Sequence, residues 1–154
     1  MKFGGHQTFH LRDNWVYKGL RMLKEKGDLF QDHERAIEWL GVGSNMVHAI
    51  KYWLQAGKFV IVYEGKYAVS DFGRRISRYD PYFDRKGTAW LIHYQLATNE
   101  EVATTWYWFF NKFGVTEFTA EAATHYLEAY IGKLGRRVTL NTLSKDINAL
   151  LRMY

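Results

Sequence analysis

The spacing of hydrophobic residues changes near Phe59, and this change limits the folds that the chain can adopt. Upstream, apolar residues recur every three or four positions, which is typical of amphipathic helices. Alternation over residues 59–63 and 67–69 then predicts two strands around the short turn Glu64-Gly65-Lys66. The helical spacing returns after Ser70. The sequence therefore predicts a mainly α-helical protein with one small β-hairpin.

Three helices are predicted before the hairpin. Asp13 is a suitable N-cap for the first helix, and Ser44 or Asn45 is suitable for the third, because such side chains accept hydrogen bonds from free backbone N–H groups. Gly41-Val42-Gly43 lies between the second and third helices and allows a sharp reversal of the chain. Helix, short helix, glycine turn, longer helix and hairpin form the order of a winged helix-turn-helix, which we assign to residues 13–79.

The rest of the chain is assigned to three further segments. Residues 1–12 are predicted to form an irregular N-terminal arm, and residues 80–87, which contain the one proline, are predicted to form a linker. Residues 88–154 are predicted to form a helical subdomain with helices over residues 88–97, 102–113, 119–134 and 140–153. Residues 136–151 are typical either of the start of a second helix-turn-helix or of a plain helical hairpin that completes the core.

The positive charge is concentrated in the first half of the chain. Residues 1–79 contain 13 Lys and Arg against 8 Asp and Glu, residues 80–154 contain 8 of each, and the whole chain has a formal net charge of +5. An excess of cations in one region favours a polyanionic partner. The charge distribution therefore indicates nucleic acid as a partner for the first half.

Composition excludes several classes of function. The chain has no cysteine, which excludes disulfides, thiolate nucleophiles and cysteine-based metal sites. No apolar run is long enough to span a membrane, and residues 1–6 do not begin an apolar signal peptide, so we expect a cytoplasmic protein without a membrane partner. Glycine-rich phosphate loops of the Walker type and the motif G-x-S-x-G are also absent, so we predict neither enzyme activity nor a cofactor.

The third predicted helix carries the candidate functional residues. Its apolar stripe is expected to pack on the first two helices and consists of Val47, Ile50, Trp53 and Leu54. The opposite face then presents side chains suited to base edges and phosphates in a major groove: Ser44, Asn45, His48, Lys51, Tyr52 and Gln55. Further phosphate contacts are expected from the cations of the wing and of the helix after it, which are Lys66, Arg74, Arg75 and Arg78. Duplex DNA is therefore the predicted partner.

Aromatic residues offer an alternative function. Winged helices also serve as protein–protein modules, so the alternative is an adaptor that holds subunits together through the winged helix and exposed aromatic side chains. Base stacking is a further interpretation for a set of aromatic residues, although aromatic residues at helical spacing more often form a core. The set consists of Trp90, His93, Tyr94, Trp106, Tyr107, Trp108, Phe109 and Phe110. A buried stripe is predicted for Trp106, Phe109, Phe110 and Phe113. Three residues lie off this stripe and are available to a partner: Tyr107, Trp108 and Asn111.

His6 and His10 are four residues apart, a spacing that places two imidazoles on one face of a helix. Gly4-Gly5 argues against a helix at this point, and no carboxylate lies between the histidines. We therefore predict no metal site. The alternative is that His6 and its neighbours form hydrogen bonds across the arm and hold it on the domain.

Six sequence blocks follow one another along nearly the whole chain: GGHQTFHLRDNW, EWLGVGSNMVHAIKYWL, SDFGRRI, YDPYFD, TAWLIHYQLA and TTWYWFFNKF. In content and order they resemble the bacterial domain of unknown function 4007 family. Members occur beside DNA phosphorothioation and phage-defence genes. The resemblance therefore implies a place in a prokaryotic DNA-modification or defence system, with other subunits of that system as partners. An oligomer of this chain is compatible with such a role.

The resemblance carries two further expectations. It includes HQTFHLR, which implies a functional arm with Arg12 as an anion contact. Members usually have a further C-terminal part, so we expect this chain to be a truncated or a naturally short version.

Overall fold

Across residues 1–154 the computed structural model, which describes every residue except the side chain of Asp13, has eight α-helices and one two-stranded antiparallel hairpin. In chain order the elements are α1 (Asp13–Glu25), α2 (His33–Leu40), α3 (Ser44–Ala56), β1 (Val60–Tyr63), β2 (Lys66–Val69), α4 (Asp71–Tyr79), α5 (Lys86–Ala97), α6 (Thr104–Asn111), α7 (Ala120–Lys133) and α8 (Leu140–Leu151). The predicted mainly helical architecture with a small hairpin is confirmed.

The helix starts follow local capping chemistry. The Ser70 hydroxyl accepts a hydrogen bond from the backbone N–H of Gly73 at 2.9 Å and so caps α4. Thr119 caps α7 in the same way through the N–H of Ala122. Arg12 occupies the N-cap position of α1, and the predicted capping side chain of Asp13 lies outside the described part of the chain.

The hairpin has a two-residue turn that matches the twist of its strands. Val60 pairs with Val69 and Tyr63 pairs with Lys66, which leaves Glu64 and Gly65 at the tip. Both tip residues have positive φ angles, 49° and 76°. That combination is characteristic of a type I′ turn, in which glycine adopts the second position without strain.

Two indole rings mark the centre of the fold. Trp53 of α3 and Trp106 of α6 pack edge to face, with ring centroids 5.2 Å apart and an interplanar angle of 88°. Both side chains are fully buried, as the sequence predicts. Leu150 of α8 belongs to the same core, which also contains residues of α1 and α3.

A smaller core lies on another side of α6. Trp108 packs there with apolar residues of α7 and α8, namely Ala123, Leu127, Ile131, Leu143 and Ile147. The expectation that Trp108 faces a partner is therefore wrong, because α6 is covered on two sides. Phe110, predicted to be buried, is 38% exposed on a remaining side. Whether α7 and α8 begin a second helix-turn-helix or form a plain hairpin stays a prediction.

The segment between α4 and α5 packs closely against the core. Asp80 is buried, and its carboxylate accepts hydrogen bonds from the backbone N–H groups of Asp84 and Arg85 at 3.0 and 3.1 Å. The Phe83 ring contacts Phe59 with a centroid separation of 6.1 Å. These contacts order the segment and allow α5 to begin at Lys86, two residues before its predicted start. The predicted division into domains at residues 80–87 stays a prediction.

The N-terminal arm is held in place by His6. Its ring is fully buried, and Nε2 lies 2.8 Å from Oδ1 of Asp146 in α8. The hydroxyl of Thr105 donates to Oδ2 of the same carboxylate at 2.8 Å. Trp53 Nε1–H donates to the carbonyl oxygen of Phe9 at 3.1 Å. The arm is therefore bonded to α8 through His6 and to α3 through Phe9, and Thr105 of α6 shares the Asp146 carboxylate with His6. None of the helices described combines the length and apolar character that crossing a membrane requires.

Candidate nucleic-acid interface

The turn between α2 and α3 positions the candidate surface. Gly41 ends α2 in the left-handed region, with φ 59° and ψ 42°, which glycine adopts without strain. Gly43 is the N-cap of α3. The prediction that Ser44 or Asn45 caps this helix is therefore wrong, because the helix starts one residue earlier and both residues lie within its first turn.

The solvent-facing side of α3, which we call the α3 face, is polar and free of carboxylates. Ser44, Asn45 and His48 are exposed, and Lys51 and Gln55 are half-buried along the same helix. The opposite side packs into the core through Val47, Ala49, Ile50, Trp53 and Leu54. The sequence of α3 contains no Asp or Glu. The structure thus brings together five of the six side chains that the sequence assigned to this face.

Tyr52, the sixth, does not belong to the α3 face. Its side chain is buried, and the arm covers it so closely that a Cβ on Gly5 would lie 2.4 Å from the Tyr52 ring. Burial, together with the nearby Asp146 carboxylate, raises the pKa of the Tyr52 hydroxyl well above its usual value. Helical spacing alone misplaced this residue, because it gave no sign that the arm packs on α3.

Two histidines meet at the start of the α3 face. The rings of His48 and His33, the first residue of α2, stack with centroids 4.5 Å apart and planes tilted by 20°. His33 Nε2 also lies 2.7 Å from the Ser44 hydroxyl oxygen. Partial burial, then the neighbouring His33 and Lys51, lowers the pKa of His48 from its ordinary 6.5. Sequence reasoning missed His33, because its contact with α3 depends on the angle between the two helices.

The ammonium group of Lys51 lies close to two aromatic rings. Its ammonium lies 4.9 Å from the ring centroid of Tyr67 in β2 and 5.8 Å from that of Phe30. Burial, and to a smaller extent Lys2, lowers the pKa of this lysine. Lys2 itself donates a hydrogen bond from Nζ to Gln55 Oε1 at 3.0 Å. The arm therefore adds a second cation beside the α3 face, which no local sequence pattern indicated.

The β1–β2 hairpin carries a further cation, Lys66. Lys66 is exposed at the first position of β2, opposite the Tyr63 side chain, which is 73% exposed. Gln31 Nε2 donates to the carbonyl oxygen of Gly65 at 3.2 Å. The tip of the hairpin is therefore fixed to the segment that precedes α2.

The arginines of α4 form a separate group. Arg74, Arg75 and Arg78 are exposed and line a shallow cleft of about 350 Å³ with Asp71 and Tyr79. Arg74 is paired with Asp71 and donates to the carbonyl oxygen of Val69, so part of its charge is already compensated. Among the described residues, no hydrogen bond or ion pair joins these arginines to the α3 face.

The arm residues singled out from the sequence do not form one site. Arg12 is exposed, and its guanidinium carbon lies 4.9 Å from the Trp15 ring centroid. His6 is bonded to Asp146, whereas His10 lines a cavity beside α5. Within the described side chains, no three His, Cys, Asp or Glu residues are grouped so as to share a metal ion.

Comparison with known proteins places the chain in a family. The family model for DUF4007, described as a protein of unknown function, matches residues 3–154, so the chain belongs to the DUF4007 family. A comparison with curated proteins gives no match.

Two solved structures share the fold. The crystal structure of magnesium ion-bound SspB has a TM-score of 0.87 and 24% identity, and a further SspB crystal structure has a TM-score of 0.86 and 24% identity. Each match covers 99% of this chain and 49% of the other, so the chain spans about half the length of these SspB chains.

Proposed function

We propose that the chain binds duplex DNA through a winged helix-turn-helix formed by α1, α2, α3 and the β1–β2 hairpin. In this arrangement the α3 face enters the major groove, and the hairpin is the wing. The observation that carries the proposal is the α3 face itself, a carboxylate-free helix surface with amide, imidazole and ammonium groups side by side.

The start of α3 is suited to base edges. Ser44 and Asn45 lie in the first turn, the part of a recognition helix that contacts bases most often. Asn45 is exposed, and an asparagine amide presents a donor and an acceptor that match an adenine edge. The free N–H groups of this helix end also attract a phosphate.

The cations around α3 are suited to contacts with the phosphate backbone of DNA. Lys51 and Lys2 flank the middle and end of the α3 face, and Lys66 lies on the wing. Contacts of this kind release counterions from DNA and make binding depend steeply on salt. Arg75 and Arg78 of α4 add phosphate contacts only if the duplex extends past the wing.

The biological setting that we propose is a DNA-modification or phage-defence system in which the chain is the DNA-binding module. This setting is what the sequence resemblance to the DUF4007 family implies. The second candidate function, an adaptor between subunits, is favoured by one observation. Trp90, Leu91 and Tyr94 of α5 are 71%, 49% and 61% exposed, an unusual amount of apolar surface for one helix.

Fluorescence anisotropy with a labelled duplex tests the proposal. The double variant Asn45→Ala, Lys66→Gln removes one base contact and one phosphate contact, and we expect its affinity to fall by a factor of about ten or more. The matched control is Asn14→Ala, Lys24→Gln, which changes the same residue types at exposed positions of α1.

The control should bind duplex as the wild type does. Equal affinities for the wild type and the Asn45, Lys66 variant would show that duplex DNA is not held by this surface, and the adaptor function would take its place.

A further inference from the structure

A cavity of about 610 Å³ lies between the end of the arm, α5, α6 and the residues after α8. We call it the α5 cavity. Its volume lies within the range of small-molecule sites. Ile92 forms a buried apolar part of its wall, and Trp90, Phe110 and Tyr154 contribute aromatic rings. The cavity is therefore large enough for a planar aromatic ligand.

The aromatic rings of this cavity are arranged around His93. Its ring lies edge to face with Phe110, Tyr154 and Trp90, at centroid distances of 4.5, 5.5 and 5.7 Å. Trp90 nevertheless remains 71% exposed. Much of the indole surface is thus free to stack on a ligand, whereas the other rings hold one another in position.

One ring nitrogen of His93 is hydrogen-bonded within the chain, and the other is available to a ligand. Its Nδ1 lies 2.7 Å from the Tyr154 hydroxyl. The Tyr154 hydroxyl and this ring nitrogen form a hydrogen bond in which either group can donate, according to the tautomer of the imidazole. Nε2 makes no hydrogen bond to another described residue.

The charge at the cavity favours an anion. Arg152 lines it, and none of its lining residues is Asp or Glu. Arg152 forms no ion pair with any described side chain and is exposed. An aromatic surface next to an unpaired guanidinium complements a ligand that combines a flat ring with a negative charge.

We propose that the α5 cavity binds a single unpaired nucleotide, with the base stacked on Trp90 and the phosphate held by Arg152. His93 Nε2, which forms no hydrogen bond to another described residue, is available to the base edge. The ligand is either a free nucleoside 5′-monophosphate or an unpaired nucleotide within a strand, since both present a base and a phosphate. This site does not depend on duplex binding by the α3 face.

Titration with two probes tests the site in the whole chain. Deoxyadenosine monophosphate is followed by calorimetry, and a short labelled single-stranded oligonucleotide is followed by anisotropy. Base stacking on an aromatic side chain and the phosphate contact are each expected to contribute about tenfold in affinity, so Trp90→Ala and Arg152→Gln should each weaken binding by about that factor. Tyr94→Ala and Arg137→Gln are matched controls at exposed positions outside the cavity.

The two probes separate the two sources of the ligand. Binding of the monophosphate identifies a free nucleotide as sufficient, and binding of the oligonucleotide alone identifies an unpaired nucleotide of a strand; in both cases Trp90→Ala must weaken it while Tyr94→Ala does not. The proposal is overturned if neither probe binds the wild type, or if Trp90→Ala and Arg152→Gln, both folded by circular dichroism, bind as the wild type does. An equal loss in the control variants would also overturn it, because stacking would then be a property of the surface in general.

Discussion

Helices α3 and α5 are of similar length but expose opposite kinds of side chain. α3 has an apolar side in the core and exposes Ser44, Asn45 and His48. α5 is apolar on most sides, buries Ile92 and Leu96, and leaves Trp90 in solvent. A polar helix face is what an aqueous surface normally carries, whereas an exposed tryptophan beside a cavity leaves apolar area that a ligand or a partner can cover.

The comparison shows where sequence patterns are informative. In α3 the apolar and polar residues are segregated by helical spacing, so one stripe had to face the core. In α5 apolar residues occur on most sides, and their spacing therefore does not separate the buried from the exposed ones. A function is therefore easier to infer from sequence for α3, whereas the exposed aromatic surface of α5 is recognised only in the structure.

The largest expected effect is on the free energy of unfolding, and it separates two buried tryptophans from an exposed one. Trp53→Ala or Trp106→Ala should lower the free energy of unfolding by about 3–5 kcal/mol, because each removes a large side chain from the core. Trp90→Ala should change it by less than about 0.5 kcal/mol, since its ring is mostly exposed. Urea denaturation measures all three. A cost of several kcal/mol for Trp90→Ala would mean that α5 is held by contacts to that ring, and the contrast between the two helices would be lost.

Much of the fold was predictable because it depends on local chemistry. The hairpin over Phe59–Val69, the Ser70 cap and the burial of Trp53 follow from spacing and capping rules that act within a few residues. The burial of Tyr52 and Trp108 was not predictable, because each is covered by a segment distant in sequence. The α3 face was found for the same local reason, whereas Lys2 and His33 reach it only through tertiary contacts.

A second large effect is expected at the buried pair that anchors the arm. Asp146→Ala should lower the free energy of unfolding by about 3–5 kcal/mol, because it leaves the buried His6 ring and the Thr105 hydroxyl without their acceptor. The arm contributes Lys2 to the α3 face and His10 to the α5 cavity, so its release should weaken both surfaces. Chemical denaturation and the binding titrations measure the two consequences.

Glu128→Ala provides the control, since the Glu128–His125 pair is about half exposed and should contribute little. If Asp146→Ala matches Glu128→Ala in stability, the arm is not anchored by this carboxylate.

The smallest expected effect is on the pH dependence of folding stability. The pKa of His48 in the folded chain is below its ordinary 6.5, so the unfolded chain takes up a proton first as the pH falls. Stability is therefore expected to decrease modestly as the pH drops below about 6.5, and His48→Gln should reduce this decrease. Unfolding measured at about pH 7.5 and about pH 5.5 checks the sign.

A His48→Gln variant that loses as much stability on acidification as the wild type, or more, would contradict the lowered pKa of His48.

The salt dependence of duplex binding tests the role of the α3 face most directly. Lys51 is the one lysine or arginine within α3, and the exposed Lys133 of α7 is its matched control. We expect a steep fall in the logarithm of the wild-type association constant with the logarithm of salt concentration, a slope smaller by about one for Lys51→Gln, and a wild-type slope for Lys133→Gln. Duplex binding that is insensitive to salt, or a Lys51→Gln slope equal to that of the wild type, would contradict DNA recognition by this helix.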